Sequence, residues 1–442
     1  MQMAIQSHKY NKERKLMFLF YVCVLVLLSA SALLEQFLAS TILRSIELLA
    51  LGLMCFCFIR LWQMKSLCVF TGVSKKLVIG LFVMLLSIIV RGNWDMSGHY
   101  LFLKLLNRGG FLAYFTPIML VSIPNSRHLK TITQVLFVGS LLSFPLWAIN
   151  ATELVQDGYR GEGVGAYMPF LAAFLLGFPL MSKRQRKICF VIWAIYLLLM
   201  MLNARRNMIF SLGGLGLIAY YCCNLSRFAK NRGRAVLVSV AAAAMGMLFL
   251  ISNIDVLADK VFNRFAGRLE EDSRSGVEEL FLADFSTSPI SDWIWGRGID
   301  GGYYQEVRDD DTGEVNTNRL GIETGYLNNI LKGGAIYSFF IISIMVACFI
   351  RSIRINNIYS VYLRWVFLLF FIDLYATTLM GGFSPKSVMF WIFVSVVLCR
   401  EYPFLGRTDK KVCQNGKIQI KKTILCSSIT NYSNKSDCCF YQ

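Results

Sequence analysis

The sequence predicts an all-α polytopic membrane protein, with about 12 apolar runs that approach the ~20 residues needed to cross a bilayer as a helix. Its 442 residues are 56% hydrophobic and only 16% charged, and the mean hydropathy is +0.53. An aqueous globule of this composition would have too little polar surface. The runs also lack the alternation of barrel strands, so their backbone groups must be satisfied within helices.

The predicted spans divide the chain into four regions. Residues 1–251 hold nine transmembrane helices, residues 252–332 form one large external loop between helices 9 and 10, residues 333–402 hold the last three helices, and residues 403–442 form a Lys-rich cytoplasmic tail that we expect to be flexible. The spans cover residues 16–34, 42–60, 77–90, 109–124, 131–149, 164–181, 188–203, 207–223, 235–251, 333–350, 365–380 and 386–399.

Basic residues occur in alternate connections, and short connections rich in Lys and Arg stay cytoplasmic. This pattern predicts that both termini face the cytoplasm and that the 252–332 loop faces the periplasm or cell exterior. No cleavable signal sequence is evident, so we expect the first span to be retained. The net charge of +18 is scattered over many short loops rather than one basic face, which argues against a nucleic-acid partner.

Cysteine and histidine placement gives no reason to expect a disulfide framework or a zinc site. The 13 Cys lie in predicted spans or on the cytoplasmic side, where thiols stay reduced. The adjacent Cys438 and Cys439 have no matching second pair, and the chain has only three His.

Arginines on the predicted outer side require a chemical reason. Arg205 and Arg206 stand in a short outer turn, where the positive-inside bias opposes them. Guanidinium groups there suit a lipid diphosphate, whose oxygens they bind bidentately. Snorkelling to lipid headgroups is the alternative reading. The other outer arginines are Arg160, Arg264, Arg268, Arg274, Arg297, Arg308 and Arg319.

The 252–332 loop opens with helical periodicity. Apolar residues recur every three or four positions over 254–269 and again over 277–285, which predicts two amphipathic helices. The sequence of 296–301 matches a dinucleotide fingerprint in its letters but lacks the flanking strand and helix, so we expect no cofactor there. Three aspartates at 309–311 precede Thr-Gly, which predicts a solvated loop tip rather than a metal site.

Charges within spans are costly, at ~2.5–3.5 kcal/mol near the bilayer centre, so each should have a partner. Asp373 is the clearest case, and Lys104 and Arg108 are candidates either for its partner or for a further phosphate contact. Arg44 and Glu47, three residues apart, can pair along one helix face. Structural ion pairing is the alternative to a functional role for each of these charges.

Several outer segments together resemble a known family. They are Gly158–Gly163 (GYRGEG), Asn203–Asn207 (NARRN) and, within the large loop, 272–274 (DSR), 295–298 (WGRG), 323–329 (ETGYLNN) and 333–334 (GG). Their layout between Tyr159 and Ile350 resembles the Wzy-type O-antigen and surface polysaccharide polymerases, which are related to the O-antigen ligases.

The resemblance implies a GT-C-like membrane glycosyltransferase of the bacterial inner membrane. Such an enzyme transfers glycan from undecaprenyl diphosphate to a hydroxyl of a second lipid-linked repeat unit, without metal or nucleotide. Arginines would stabilise the leaving diphosphate, and a carboxylate would act as base. The implied catalytic residues are Arg205, Arg206 and Glu323, and the implied substrate-binding residues are Arg160, Arg264, Arg268, Arg274, Arg297, Arg319 and Tyr326. The expected partners are the bilayer and the lipid-linked glycan, with a chain-length regulator protein as a further candidate.

Two alternatives stay open. Ligases resemble one another in a His near the end of the large outer loop, whereas Glu323 and Thr324 occupy that region here. A carrier or flippase of lipid-linked glycan with about 12 helices would show two similar halves joined by a longer cytoplasmic link, and the middle cytoplasmic connection here is short.

Overall fold

The computed structural model describes the chain in thirteen stretches, all within the first of two units, Met1–Tyr402 and Pro403–Gln442. The described residues are 2–36, 41–64, 68–94, 104–106, 110–122, 129–149, 177–202, 206–225, 233, 273–308, 315–355, 357–376 and 383–399. The predicted tail, the predicted span 235–251 and the first amphipathic helix of the loop therefore lie outside the described residues.

The described residues are mostly helical, which confirms the predicted helical class. The helices are α1 (Gln2–Gln36), α2 (Thr41–Gln63), α3 (Gly72–Val90), α4 (Phe111–Phe115), α5 (Met119–Ser122), α6 (Leu129–Ile149), α7 (Lys183–Leu202), α8 (Arg206–Tyr220), α9 (Ser273–Thr287), α10 (Ile290–Trp295), α11 (Gly325–Arg354), α12 (Ile358–Ala376) and α13 (Pro385–Leu398).

Apolar length indicates a membrane protein. In the part of the chain that the structure describes, four helices are long and apolar enough to cross a bilayer: Ile42–Gln63, Gly72–Val90, Gly325–Arg354 and Ile358–Tyr375. Each overlaps a predicted span. Shorter apolar helices cover Phe111–Val121, Ile209–Asn224 and Lys386–Leu398.

Helix α13 forms the centre of the packing around α11 and α12. Its residues 389–394 are all fully buried, as expected for a helix that is apolar on every side. Pro385 occupies its first turn, and the Ser384 hydroxyl accepts a hydrogen bond from the Ser387 amide (3.2 Å), which caps the helix. Phe390 packs edge-on against Phe370 of α12, with ring centroids 5.8 Å apart.

The described part of the 252–332 loop contains a β-hairpin that the all-α prediction missed. Strand β1 (Tyr303–Arg308) pairs antiparallel with β2 (Val315–Arg319). Tyr303 is buried and Tyr304 is exposed, the alternation of a half-buried strand. The second predicted amphipathic helix is confirmed as α9, and its buried Phe281 and Phe285 pack with Tyr303 in one small core.

Candidate functional site

The segment 295–301 of the predicted 252–332 loop is fixed to the C-terminal end of α3. The last carbonyls of a helix lack intrahelical partners, and here the Ile88 carbonyl accepts from the Ile299 amide at 3.1 Å. The Arg91 guanidinium donates to the carbonyls of Trp295 (2.5 Å) and Gly296 (2.6 Å). These bonds join residues more than 200 positions apart and position the loop over the helices.

Lys104 and Lys332 complete this attachment. The Lys104 ammonium bonds the Asp300 carboxylate at 2.5 Å, and Asp300 also accepts from the Asn93 amide at 2.7 Å. The buried Lys332 ammonium donates to the carbonyls of Ile299 and Gly301, both at 2.8 Å. Lys104 therefore pairs with the loop, which corrects the expectation that it would pair with Asp373.

The glycine-rich sequence 296–301 serves close backbone packing and not dinucleotide binding. It follows helix α10 and precedes strand β1, the reverse of the order that a dinucleotide site needs. Gly296 and Gly334 both have positive φ, at 72° and 71°. A Cβ on Gly296 would lie 2.5 Å from the Gly333 nitrogen, and one on Gly334 would lie 2.2 Å from the Ile294 carbonyl oxygen. Only glycine allows the two segments to approach this closely.

Arg297 is held by partners within the loop. Its guanidinium contacts the carboxylates of Asp292 (2.9 Å) and Asp284 (2.6 Å), the Gly302 carbonyl (2.6 Å) and the Ser288 hydroxyl. It also lies 4.6 Å from the centroid of the Phe285 ring. Four of the five N–H groups of an arginine are thus engaged, and the charge is neutralised by two carboxylates. We assign Arg297 to loop structure and leave it out of the proposed diphosphate site.

A buried polar trio connects three helices. Asp373 of α12 is 0% exposed, and one of its oxygens accepts from the Ser211 hydroxyl of α8 (2.8 Å) and pairs with the Lys386 ammonium of α13. Lys386 is therefore a partner of Asp373 that the sequence did not suggest, while Arg108, one of the predicted candidates, lies outside the described residues. Glu47 is likewise buried and pairs with Arg44 at 3.0 Å, which confirms the predicted helix-face pair.

This trio lies near one end of the helix bundle. Helices α8, α11 and α13 start at that end and α12 finishes there, and we call it the loop-side end. Asp373 stands one turn before the last residue of α12, and Lys386 stands in the first turn of α13. Asp373 lies within the apolar helix Ile358–Tyr375, which confirms the prediction that it is a charge inside a span. In the first turn of α11, the Tyr326 hydroxyl donates to the Phe371 carbonyl of α12 at 3.1 Å.

Arg206 belongs to the same end. It is the first residue of α8, and Ser211 follows five positions later, about 7.5 Å along the helix axis. The side chain of Arg206 lies outside the described residues. So do Arg160, Arg205, Arg264, Arg268 and the side chain of Arg274.

Glu323 and Arg319 lie where the hairpin leads into α11. The Glu323 side chain is 65% exposed, and its carboxylate is 4.0 Å from Arg319, which also bonds Gln305 at 3.0 Å. Gln305 accepts in turn from the Tyr303 hydroxyl at 2.9 Å. Burial raises the pKa of Tyr303, partly offset by Arg319, so this phenol stays protonated near neutral pH.

Sequence reasoning missed Ser211 and Lys386. The sequence did contain a signal for Lys386. Ser384-Pro385 is typical of a helix start, which places Lys386 in the first turn of an apolar helix. A lysine there needs an acidic partner, just as Asp373 needs a cation. Among the described residues, no group of three or more His, Cys, Asp or Glu side chains is placed to hold a metal ion.

The fold and site define a helical membrane protein with a structured loop ahead of α11 and a buried ion pair at the loop-side end. No family model, curated protein or solved structure matches the chain.

Proposed function

We propose that this protein is a membrane glycosyltransferase of the O-antigen polymerase type. It joins undecaprenyl diphosphate-linked repeat units on the periplasmic face of the bacterial inner membrane. In this proposal the complete bundle has about 12 helices, enough for the apolar runs of the sequence, in a GT-C-like arrangement with both termini cytoplasmic.

The observation that carries the proposal is the Asp373–Lys386–Ser211 trio at the loop-side end. Ionisable residues among apolar helices are expensive and mark functional sites by default. A purely structural ion pair is often no more stable than apolar residues of the same size, so stability alone gives little reason to keep it. Arg206 is the first residue of α8 at the same end of the bundle, so two cationic residues, Arg206 and Lys386, belong to the loop-side end.

Such an arrangement suits a lipid diphosphate leaving group. Cationic donors fixed in a site that excludes water stabilise the charge that develops as the glycosidic bond breaks. The Lys386 side chain is 26% exposed and its ammonium pairs with the buried Asp373 carboxylate, and in this proposal the phosphate approaches from the exposed side of that pair. Arg205 and Arg206 would add bidentate contacts to the phosphate oxygens.

The acceptor hydroxyl needs a group to take its proton. Glu323 is the accessible carboxylate at the start of α11, in the same turn region as Tyr326. Asp373 is engaged by Lys386 and Ser211, which suits positioning better than proton abstraction. We therefore keep Glu323 as the proposed base.

The test uses a strain that lacks this gene, complemented with variants and assayed by glycan ladder on a gel, with protein level measured by immunoblot. Lys386→Met is expected to remove long chains and leave a single repeat unit on its final acceptor. Lys75→Met is the matched control, because Lys75 is exposed in the first turn of α3. A normal ladder from Lys386→Met would refute the role of Lys386.

A double variant separates function from folding. Asp373→Asn with Lys386→Met removes both charges, so a structural role predicts recovery of both protein level and ladder. A functional role predicts recovered protein level without long chains. Loss of every repeat in the gene-deleted strain, the single unit included, would instead indicate a ligase or flippase.

A further inference from the structure

A long groove lies between α1, α2 and α6, at residues separate from the proposed diphosphate site. Its volume is about 1250 Å³, larger than the roughly 300–1,000 Å³ of a drug-sized pocket. One wall is a stripe of α1 in which Lys15, Phe18, Val22, Val26 and Ser29 recur every three or four residues. That spacing places them on one helix face.

The opposite walls are apolar apart from Gln134 of α6. Val138 and Leu142 of α6 and Ile46 of α2 face the groove, and the exposed fractions of the two α6 side chains are 53% and 72%. Phe18 on the α1 stripe is 51% exposed. The groove therefore presents open hydrocarbon surface to whatever fills it.

One end of the groove is basic. Lys12, Arg14 and Lys15 line it, and all three are exposed. Glu13 stands between them in the sequence but does not line the groove. From Lys12 to Ser29 the stripe runs about 25 Å along the helix, most of the ~30 Å hydrocarbon thickness of a bilayer.

We propose that this groove binds an anionic phospholipid, with its phosphate among Lys12, Arg14 and Lys15 and an acyl chain along the apolar stripe. Two features of the groove identify this occupant. The basic end is complementary to an anionic phosphate, and the apolar stripe is long enough for an acyl chain. Basic pockets between transmembrane helices on the cytoplasmic side hold anionic headgroups in this way. On the proposed topology these residues face the cytoplasm, whereas the diphosphate site faces outward. The bound lipid fills the space between three helices and stabilises their packing.

The test is native mass spectrometry and thermal unfolding of the full-length protein in detergent, titrated with phosphatidylglycerol or zwitterionic phosphatidylethanolamine. Phosphatidylglycerol is expected to bind preferentially and to raise the unfolding midpoint. Replacing Lys12, Arg14 and Lys15 with Gln should weaken that binding by about a hundredfold, from the usual contribution of basic residues near anionic lipid. The control Lys75→Gln/Lys76→Gln removes exposed charges from α3 and should bind like wild type.

A second variant does not depend on the charges. Val138→Trp fills the groove from α6 and should also abolish the phosphatidylglycerol adduct. Equal binding of the two phospholipids would overturn the proposal, as would unchanged binding in both the Gln variant and Val138→Trp. A stronger preference for undecaprenyl phosphate than for phosphatidylglycerol would also overturn it, and the groove would then belong to a polyprenyl lipid. None of these readouts requires polymerase activity, so the result is independent of the proposed function.

Discussion

Gly334→Ala should break the close contact between α10 of the 252–332 loop and helix α11. Gly334 has φ 71° and ψ −172°, a region that is essentially restricted to glycine, and strain of this kind costs about 1–3 kcal/mol. The new Cβ would also lie 2.2 Å from the Ile294 carbonyl oxygen and 2.5 Å from the Trp295 nitrogen. Both are backbone atoms of α10, so the clash can be relieved only if α10 moves. We expect a total cost of about 3–5 kcal/mol, at the upper end for a single substitution.

Trypsin provides the assay, because Arg297 lies at the attachment and its peptide bond is protected while the loop is docked. The open population governs cleavage when opening is fast relative to proteolysis. A cost of about 3 kcal/mol raises that population by about a hundredfold, so cleavage after Arg297 should accelerate by a similar factor.

The matched control is Gly276→Ala in α9 of the same loop. Its added Cβ meets no heavy atom within 4 Å, and φ is not positive. Alanine there should favour the helix by about 0.5–1 kcal/mol and leave cleavage unchanged or slower. The reasoning fails if Gly334→Ala is cleaved at the wild-type rate, or if Gly276→Ala is cleaved as fast as Gly334→Ala.

Three further outcomes are expected. Arg297→Lys keeps the charge but loses the forked bonds to two aspartates, so the free energy of unfolding should fall by about 1–3 kcal/mol and the unfolding midpoint with it. Arg184→Lys, at an exposed position, should leave the midpoint unchanged. Arg205→Lys and Arg206→Lys should each shorten the glycan ladder if bidentate diphosphate contact matters, and a normal ladder from both and from the double variant would refute that role. Thr312→Cys should react with a membrane-impermeant thiol reagent added outside cells, and reaction only from the cytoplasmic side would reverse the topology.

Hydropathy predicted the four membrane-length helices of the described residues, because burial in lipid depends on local composition. It placed their ends less well. The non-helical Gly334 divides α11 close to the predicted start at 333, and the short helical part ahead of it, from Gly325, was missed. That part carries the buried polar residues Asn328, Asn329 and Lys332. Those polar residues make no apolar run, so their burial is visible only once α10 and the loop are in place.

The hairpin could not be predicted from local pattern. Its strands, YYQEVR and VNTNR, are short and polar, and the register shifts between Tyr304 and Val307. Only Tyr303 supplies a buried aromatic, and its partners Phe281 and Phe285 lie on α9. The strands form because α9 offers a surface to cover, which is information from distant residues.

The two charge predictions differed in outcome for one physical reason. A buried carboxylate is costly, so Asp373 was correctly predicted to need a cation. The cost does not indicate which cation, and the partner Lys386 comes from the antiparallel neighbour α13. Arg297 was predicted as a substrate contact because a guanidinium suits a diphosphate. It suits a carboxylate equally well, and Asp284 and Asp292 already occupy it.

Residue type therefore cannot separate an arginine that binds substrate from one that holds the fold. The geometry of an arginine's partners does separate the two roles. It also divides the cations of the loop-side end and of the 252–332 loop into structural ones and candidate ligands. Four of these cations bond to carbonyls and carboxylates of the loop itself, so their role is to hold the loop in place: Arg91, Lys104, Lys332 and Arg297. Lys386 differs because its carboxylate partner is fully buried while a quarter of its own side chain is exposed. A cation that is positioned by a buried carboxylate and is itself partly exposed suits the proposed transfer of a diphosphate, so Lys386 is the residue on which the proposed function most directly depends.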